Sequence, residues 1–221
     1  MRYRDRNDAG QQLAEELMMY ANRPDVLVLA LPRGGVPVGL AVAEVLHAPL
    51  DVFLVRKLGV PGHEELAMGA IASGGVRVLN EEIVNFLQIP NTVIDAVAAR
   101  EQEELDRRTL HYRHGRPSLN VHGCTVILVD DGLATGATMR ATVVALRQQR
   151  PARIVVAVPI ASSTVCYELE TVADEVVCIA TPEPFYAVGL WYENFEQISD
   201  AEVCDLLAQA AHRPAALAPI G

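Results

Sequence analysis

The stretch VILVDDGLATGATM, from Val126 to Met139, carries the most structural information in the chain. It begins as an apolar run of strand length, places two carboxylates, Asp130 and Asp131, side by side, and continues through a loop of mostly small residues to the first turn of a helix. A strand end in an open parallel sheet faces the crevice where ligands bind, so Asp130 and Asp131 are expected to project there. Adjacent acids accept hydrogen bonds from a vicinal diol, directly or through metal-bound water. Apart from Leu133, the loop is made of Gly132, Ala134, Thr135, Gly136, Ala137 and Thr138, which have little bulk to block its own amides. It ends at a helix N-terminus, where unpaired N–H groups and the helix dipole favour an anion. Thr135 and Thr138 add hydroxyl donors. Diol and phosphate recognition thus lie a few residues apart, as a ribose 5-phosphate requires.

Outward from this stretch, apolar runs of strand length alternate with helical periodicity. The runs are Val26 to Leu31, Val52 to Val55, Val126 to Val129, Ile154 to Val158 and Val176 to Ala180. All are rich in Val and Ile, as strands buried on both faces are. Helices are expected at about Ala9 to Tyr20, Val36 to Leu46, Thr92 to Tyr112, Thr138 to Gln149 and Thr164 to Val172. This β-α-β order predicts an α/β fold with a twisted parallel sheet covered by helices and right-handed crossovers. The segment from Arg56 to Asn120 breaks the rhythm. Its Gly/Pro-bearing start reads as a flexible loop over about 56–66, followed by a small hairpin from Met68 to Ala72 and Val76 to Leu79. Asn91 reads as the N-cap of the long helix, and Glu103/Arg107 and Glu104/Arg108 as i,i+4 pairs on its solvated face.

The chain has 221 residues, 51% of them hydrophobic, enough for one elaborated domain or two small ones. A formal net charge of -10 argues against broad contact with nucleic acid or an anionic membrane, so any phosphate site must be local. Cys124, Cys166, Cys178 and Cys204 form no CxxC or Cys/His cluster; most are flanked by apolar runs and read as small buried hydrophobes. A reducing cytoplasm is the expected location. The charged start, MRYRDRNDAGQQL, does not read as a signal peptide, and every long apolar run is interrupted well short of a membrane span. The tail from Arg213 is expected to fray.

Three further segments bear on function. LALPRGGVPVG, Leu29 to Gly39, puts Arg33, Gly34 and Gly35 between a strand and a helix, where glycines let main-chain N–H groups approach a ligand. FLVRKLGVPGHEELAMGAI, Phe53 to Ile71, ends a buried strand with Arg56 and Lys57. TPEPFYAVGLWYENF, Thr181 to Phe195, concentrates Phe185, Tyr186, Trp191, Tyr192 and Phe195 in a chain with only 5% aromatics. Such rings either stack on a planar heterocycle or form a small satellite core under the C-terminal helix.

The Val126 to Met139 run resembles the ribose-phosphate signature of the type I phosphoribosyltransferases, most closely the VDD-x-x-ATG-x-T form of adenine-type members. The resemblance implies a five-stranded parallel core, about 22–180, with a hood from the N-terminal segment and about 181–200, all in one domain. It implies binding of 5-phosphoribosyl 1-diphosphate with Mg²⁺, the metal held by Asp130 and Asp131, directly or through water, and transfer of the phosphoribosyl group to a nucleobase-like acceptor. The Arg33 turn looks like the family's pyrophosphate loop, in which a non-proline cis peptide is common. Arg-Lys pairs similar to Arg56 and Lys57 contact the diphosphate in adenine and orotate members, where the following loop closes over the reacting centre. The aromatic segment is similar to the FVVGYGLDYNE stretch of hypoxanthine-guanine members, which gives Phe185 or Tyr186 the base-stacking role and makes Trp191 and Glu193 base contacts. Trp191 departs from that pattern, which has Asp there. Ala134 stands where hypoxanthine members carry an assisting Asp and adenine-type members carry Ala; a general base must then come from elsewhere, Glu193 or His63 being the candidates. A closer resemblance is to bacterial phosphoribosyltransferase-like proteins sharing RDRxDAG and TPEPFYAVGxWY, whose acceptor is not generally assigned. Family members are commonly dimers, and a homodimer is expected.

The main rival keeps the ligand and drops the chemistry: a regulatory protein sensing phosphoribosyl diphosphate or a nucleotide on the same scaffold. A phosphotransferase or phosphate-ester hydrolase ranks last, because no Walker lysine pattern, nucleophile elbow or HExxH helix is present.

Overall fold

Strands rich in Val and Ile with no polar face need helices on both sides, and the chain supplies them. The computed structural model describes residues 2–211; the tail from Arg213 lies outside them. Chain order runs α1 Arg6–Glu16, a 3-10 turn Met18–Tyr20, β1 Val26–Ala30, α2 Gly35–Leu46 and β2 Leu50–Val52. An insertion follows, made of β3 Val55–Val60, β4 His63–Ala72, β5 Val76–Leu79, α3 Glu81–Phe86 and α4 Asn91–Arg113. The alternation resumes with β6 Thr125–Val129, α5 Ala137–Arg147, β7 Arg153–Ile160, α6 Ser163–Glu170, β8 Glu175–Ala180 and α7 Asp200–Ala211.

The expected five-stranded parallel sheet is present in the order β2-β1-β6-β7-β8. Every residue of β1 and β6 is buried. Alternate side chains pack to opposite faces. Val26, Val28, Ile127, Val129, Val155 and Ala157 meet α1 and α2 through Leu13, Leu17, Val38, Val42 and Leu46. Leu27, Leu29, Val126, Leu128, Ile154 and Val156 meet α5 and α6 through Met139, Val143, Leu146, Val165 and Leu169. Each such buried Val, Leu or Ile contributes about 1.5–3 kcal/mol. The chain winds outward in opposite directions from β1 and β6, so the crevice at the carboxyl ends of those two strands is the topological switch point where ligands bind.

The insertion departs from the sequence reading. The run Val52 to Val55 is divided: β2 ends at Val52, buried Phe53 and Leu54 lead away, and Val55 opens a separate antiparallel sheet, β3-β4-β5. Residues 56–66, expected as a loop ahead of a hairpin, are themselves the paired ribbon of β3 and β4, with a turn at Pro61 and Gly62 and register shifts around Gly59. A short helix, α3, was not foreseen; Asn80 caps it by accepting from the Ile83 amide at 3.3 Å. Pro90, not Asn91, is the N-cap of α4, consistent with its extended backbone. Arg107 turns to Glu104 (2.8 Å) rather than Glu103, and Arg108 shares the same acid at 2.7 Å.

The aromatic segment does form a satellite core, but beneath the N-terminal segment rather than the C-terminal helix. Tyr3, Ala9, Ile160 and Tyr192 are buried together, with Phe185, Val188, Trp191 and Phe195 packed against them. Among the described residues no helix is long and apolar enough to cross a membrane. All four cysteines are free thiols; Cys204 is buried and the others are half-buried.

One polar contact ties the N-terminal elements to the edge strand β8. The Tyr20 hydroxyl donates to Glu175 Oε2 at 2.5 Å, and Arg153 reaches the same oxygen at 2.7 Å. The Tyr20 hydrogen bond, with Arg153 adding to it, holds the Glu175 carboxyl below its ordinary value against the opposing effect of burial. A carboxyl depressed in the folded state stabilises the protein above the normal carboxylate range and loses that contribution as pH falls through the folded value. Tyr20→Phe is therefore expected to cost about 1 kcal/mol at neutral pH. In urea denaturation, the gap from the parent should narrow as the solution is made strongly acid.

Candidate functional site

The β6–α5 connection is built from the outside in. Leu133 is buried and its amide donates to the Ile160 carbonyl at 2.9 Å, which pins the middle of the loop to β7. Gly136 takes a left-handed conformation (φ 67°) at the N-cap of α5, and a Cβ there would fall 2.5 Å from Val165 Cγ1. With no side chain capping α5, the first-turn amides are left for solvent or a ligand. Ala134, Thr135, Ala137 and Thr138 are exposed around them, and Gly132 is half-buried.

Asp130 and Asp131 stand half-buried at the end of β6. Asp130 Oδ1 accepts the Asp131 amide at 2.8 Å, and Asp131 Oδ2 accepts from Arg6 Nε at 2.8 Å. No hydrogen bond among the described residues reaches the other oxygen of either carboxylate. No fully buried side-chain oxygen or nitrogen there is left without a partner, so neither of these oxygens is completely enclosed, and both lack a partner among those residues. Burial pushes the Asp130 carboxyl well up, and the charge of Asp131 pushes it further. Asp131 is pushed up by burial against the pull of Arg6. Such a pair gains from any hydroxyl donor or cation brought to it.

The Arg33 turn packs directly on these acids. The Leu31 amide donates to the Val129 carbonyl at 2.9 Å, and the Pro32–Arg33 peptide is cis. A Cβ at Gly34 would lie 2.0 Å from Asp131 Oδ2; one at Gly35 would lie 2.7 Å from the Val129 carbonyl oxygen and 2.9 Å from Asp130 Cα. Only glycines allow this backbone approach. The half-exposed Arg33 guanidinium lies 4.0 Å from Asp200, which also accepts from the Tyr112 hydroxyl at 2.5 Å.

Arg56 and Lys57 are adjacent on a strand and so point to opposite faces. Arg56 turns inward, its Nε 2.9 Å from Glu101 on α4. Burial works against ionisation of Glu101, yet Arg56 and Arg100 hold its carboxyl below the usual range. A small cavity of about 50 Å³ joins Arg56 to Pro32 of the glycine turn, Thr138 of the α5 terminus and Arg108 of α4. Lys57 does not line that cavity; it is exposed and donates to the Glu65 carbonyl across the ribbon at 3.1 Å. His63 is exposed near the ribbon's tip.

Of the aromatic candidates, Phe185 and Trp191 are half-buried in the satellite core, Tyr186 is 77% exposed, and Glu193 is exposed. Three residues that shape the site carry no site role in the sequence reading, although Arg6 and Tyr192 lie within the RDRxDAG and TPEPFYAVGxWY segments and Arg108 within the solvated pair with Glu104. Arg6 holds Asp131, Tyr192 donates its hydroxyl to the Asp131 main-chain carbonyl at 2.5 Å, and Arg108 shares the cavity with Arg56. A separate groove of about 660 Å³ near the start of β2, lined in part by His47, Leu50, Arg113 and Leu207, includes none of the motif residues.

Among the described residues no group of three or more His, Cys, Asp or Glu side chains is arranged to hold a metal. Mg²⁺ rarely needs one, since it is usually bound through one or two carboxylates, several waters and substrate phosphates. The two unpartnered oxygens of Asp130 and Asp131 suit that mode.

The switch point of the parallel sheet thus brings together a pair of adjacent acids, an uncapped helix terminus and an arginine-bearing glycine turn, features that favour hydroxyl donors and anions. The sequence pattern of the phosphoribosyl transferase domain matches residues 3–189, and the chain belongs to that family. Two Mycobacterium tuberculosis proteins, from strains CDC 1551 and H37Rv, are 48% identical over 209 residues, 95% of this chain; the H37Rv protein bears the name "Putative phosphoribosyl transferase Rv0571c". This chain spans about half the length of those relatives, 47%. The crystal structure of the Thermus thermophilus protein TT1426 is 42% identical, with a TM-score of 0.85, covering 95% of this chain and 99% of that one.

Proposed function

We propose that the protein binds 5-phosphoribosyl 1-diphosphate with Mg²⁺ and transfers the phosphoribosyl group to a nitrogenous base, releasing diphosphate. The observation that supports this reading is the packing of Gly34 and Gly35 against Asp131 and Asp130 at the switch point, which brings the Arg33 turn beside the acid pair and next to an open helix terminus.

In this reading the amides from Thr135 to Thr138, with the two threonine hydroxyls, hold the 5-phosphate. The open oxygens of Asp130 and Asp131 accept from the ribose hydroxyls. Arg33, Arg56 and Arg108 surround the diphosphate. As the bond from the anomeric carbon to the diphosphate oxygen breaks, positive charge builds on the sugar and negative charge on the leaving group. The acid pair stabilises the first and the arginines the second, from positions fixed before reaction. Mg²⁺, when bound, neutralises diphosphate charge and lowers the cost of its departure. The base would lie toward Phe185, Tyr186, Trp191 and Glu193. A ligand-sensing protein without chemistry, on the same scaffold, is the second reading.

Incubation with phosphoribosyl diphosphate, Mg²⁺ and a panel of nucleobases, following diphosphate release, separates the two. Turnover with one base is the expected result. In that assay Arg56→Ala should lower kcat/KM by roughly 100-fold, the scale of losing one preorganised contact to developing charge. Mg²⁺-dependent binding with no release from any base would instead favour the sensor.

A further inference from the structure

The segments RDRNDAG and TPEPFYAVGLWYENF lie at opposite ends of the chain, and the roles above leave most of the first unused. In the fold they are one unit. The Tyr3 amide donates to the Trp191 carbonyl at 2.8 Å, the Glu193 amide to the Tyr3 carbonyl at 2.8 Å, and the Asn194 amide to the Arg4 carbonyl at 2.9 Å. The buried Tyr3 hydroxyl donates to the Pro159 carbonyl at 2.9 Å, anchoring the unit on β7. Asp5 caps α1 by accepting the Asp8 amide at 2.8 Å, which fixes the backbone that carries Arg6.

Arg6 is the one cation this unit sends to the acid pair, and it is held on every side. Its side chain is 10% exposed, Nη1 donates to the Glu196 carbonyl at 2.8 Å, and its guanidinium carbon sits 3.9 Å above the Phe195 ring. Nε meets Asp131 Oδ2 at 2.8 Å. Asp131 is enclosed in turn by the Tyr192 hydroxyl on its carbonyl and by the backbone of Gly34 against Oδ2. A guanidinium fixed through two nitrogens and a ring face cannot follow a moving carboxylate, so it dictates where that carboxylate points.

We propose that Arg6 is a positioning residue for the sugar: by occupying Asp131 Oδ2 it leaves Oδ1 as that carboxylate's only oxygen for the ribose hydroxyls and fixes its direction, so that the hood controls sugar recognition but not phosphate recognition. The proposal rests on the ribose site described under the proposed function. Phosphate recognition belongs to the β6–α5 amides, which Arg6 does not touch.

The test is calorimetric titration of the protein with ribose 5-phosphate and, separately, with inorganic phosphate. Arg6→Ala is expected to weaken ribose 5-phosphate binding by roughly 10-fold or more while changing phosphate binding less than about 2-fold, since a charge-assisted contact is lost at one subsite only. Arg6→Lys keeps the charge without the two-nitrogen geometry and should recover folding but only part of the sugar affinity. It also serves should the alanine variant fail to fold. In an Asp131→Ala background, removing Arg6 should add less than about 2-fold, because the two act as one unit. Equal losses for both ligands, or unchanged sugar binding in both Arg6 variants, would overturn the proposal while leaving the proposed function standing. A parent protein that binds phosphate but gains nothing from the ribose would overturn both.

Discussion

Asp51→Ala is expected to lower the stability of the protein by about 3–5 kcal/mol, the cost of leaving a buried guanidinium without its partner. Asp51 sits in β2 and Arg113 ends α4; their side chains are 10% and 8% exposed and meet at 3.0 Å. Arg113 also donates to the Val52 carbonyl at 3.0 Å, and Asp51 Oδ2 accepts the Leu119 amide at 3.3 Å. This cluster locks the insertion's long helix to the edge of the main sheet. The helix carries Glu101, which holds Arg56, and Arg108, so its placement reaches the candidate site. Chemical denaturation measures the loss. The double variant Asp51→Ala with Arg113→Ala should lose much less than the two single variants together, because no charge is left stranded. Equal, additive losses would mean that the pair is not energetically coupled.

Asp130→Asn is expected to separate binding from stability. Asn keeps the shape of the side chain and an acceptor for the Asp131 amide, which the structure places 2.8 Å from Asp130 Oδ1. It removes the charge that ribose hydroxyls would hydrogen-bond, worth about 1.5–3 kcal/mol, so affinity for phosphoribosyl diphosphate should fall by roughly 10- to 100-fold. Stability should move the other way. Burial raises the Asp130 carboxyl, and an acid with a raised folded-state value costs stability once the pH exceeds its unfolded value. A neutral amide removes that cost, so thermal unfolding at neutral pH should occur at the same or a higher temperature. A variant that binds normally would place the ribose contacts elsewhere, whereas one that melts earlier would make Asp130 a structural residue.

These two cases also show which parts of the molecule can be read from sequence. The parallel core is legible because β1, β6 and β7 are buried on both faces, leaving Val, Ile and Leu as nearly continuous runs. The acid pair and the glycine turn are legible because close backbone approach restricts what can stand at Gly34, Gly35 and Gly136, and that restriction is visible as a motif. The β3–β4 ribbon is not, since Lys57, Gly59, Pro61 and Gly62 resemble a loop and only pairing with β4 makes the first of them a strand. The division between Val52 and Val55 is hidden for a related reason: Phe53 and Leu54 are buried connectors, as apolar as the strands they join. Arg6 is hidden most completely. It stands 125 residues from Asp131, and an arginine at the start of an amphipathic helix looks like solvated charge until the fold closes over it.

The most direct test of the account is a crystal soaked with ribose 5-phosphate and Mg²⁺. The phosphate should lie against the amides from Thr135 to Thr138, with the sugar hydroxyls at the open oxygens of Asp130 and Asp131. A well-ordered ligand bound elsewhere, with the β6–α5 turn empty, would contradict it.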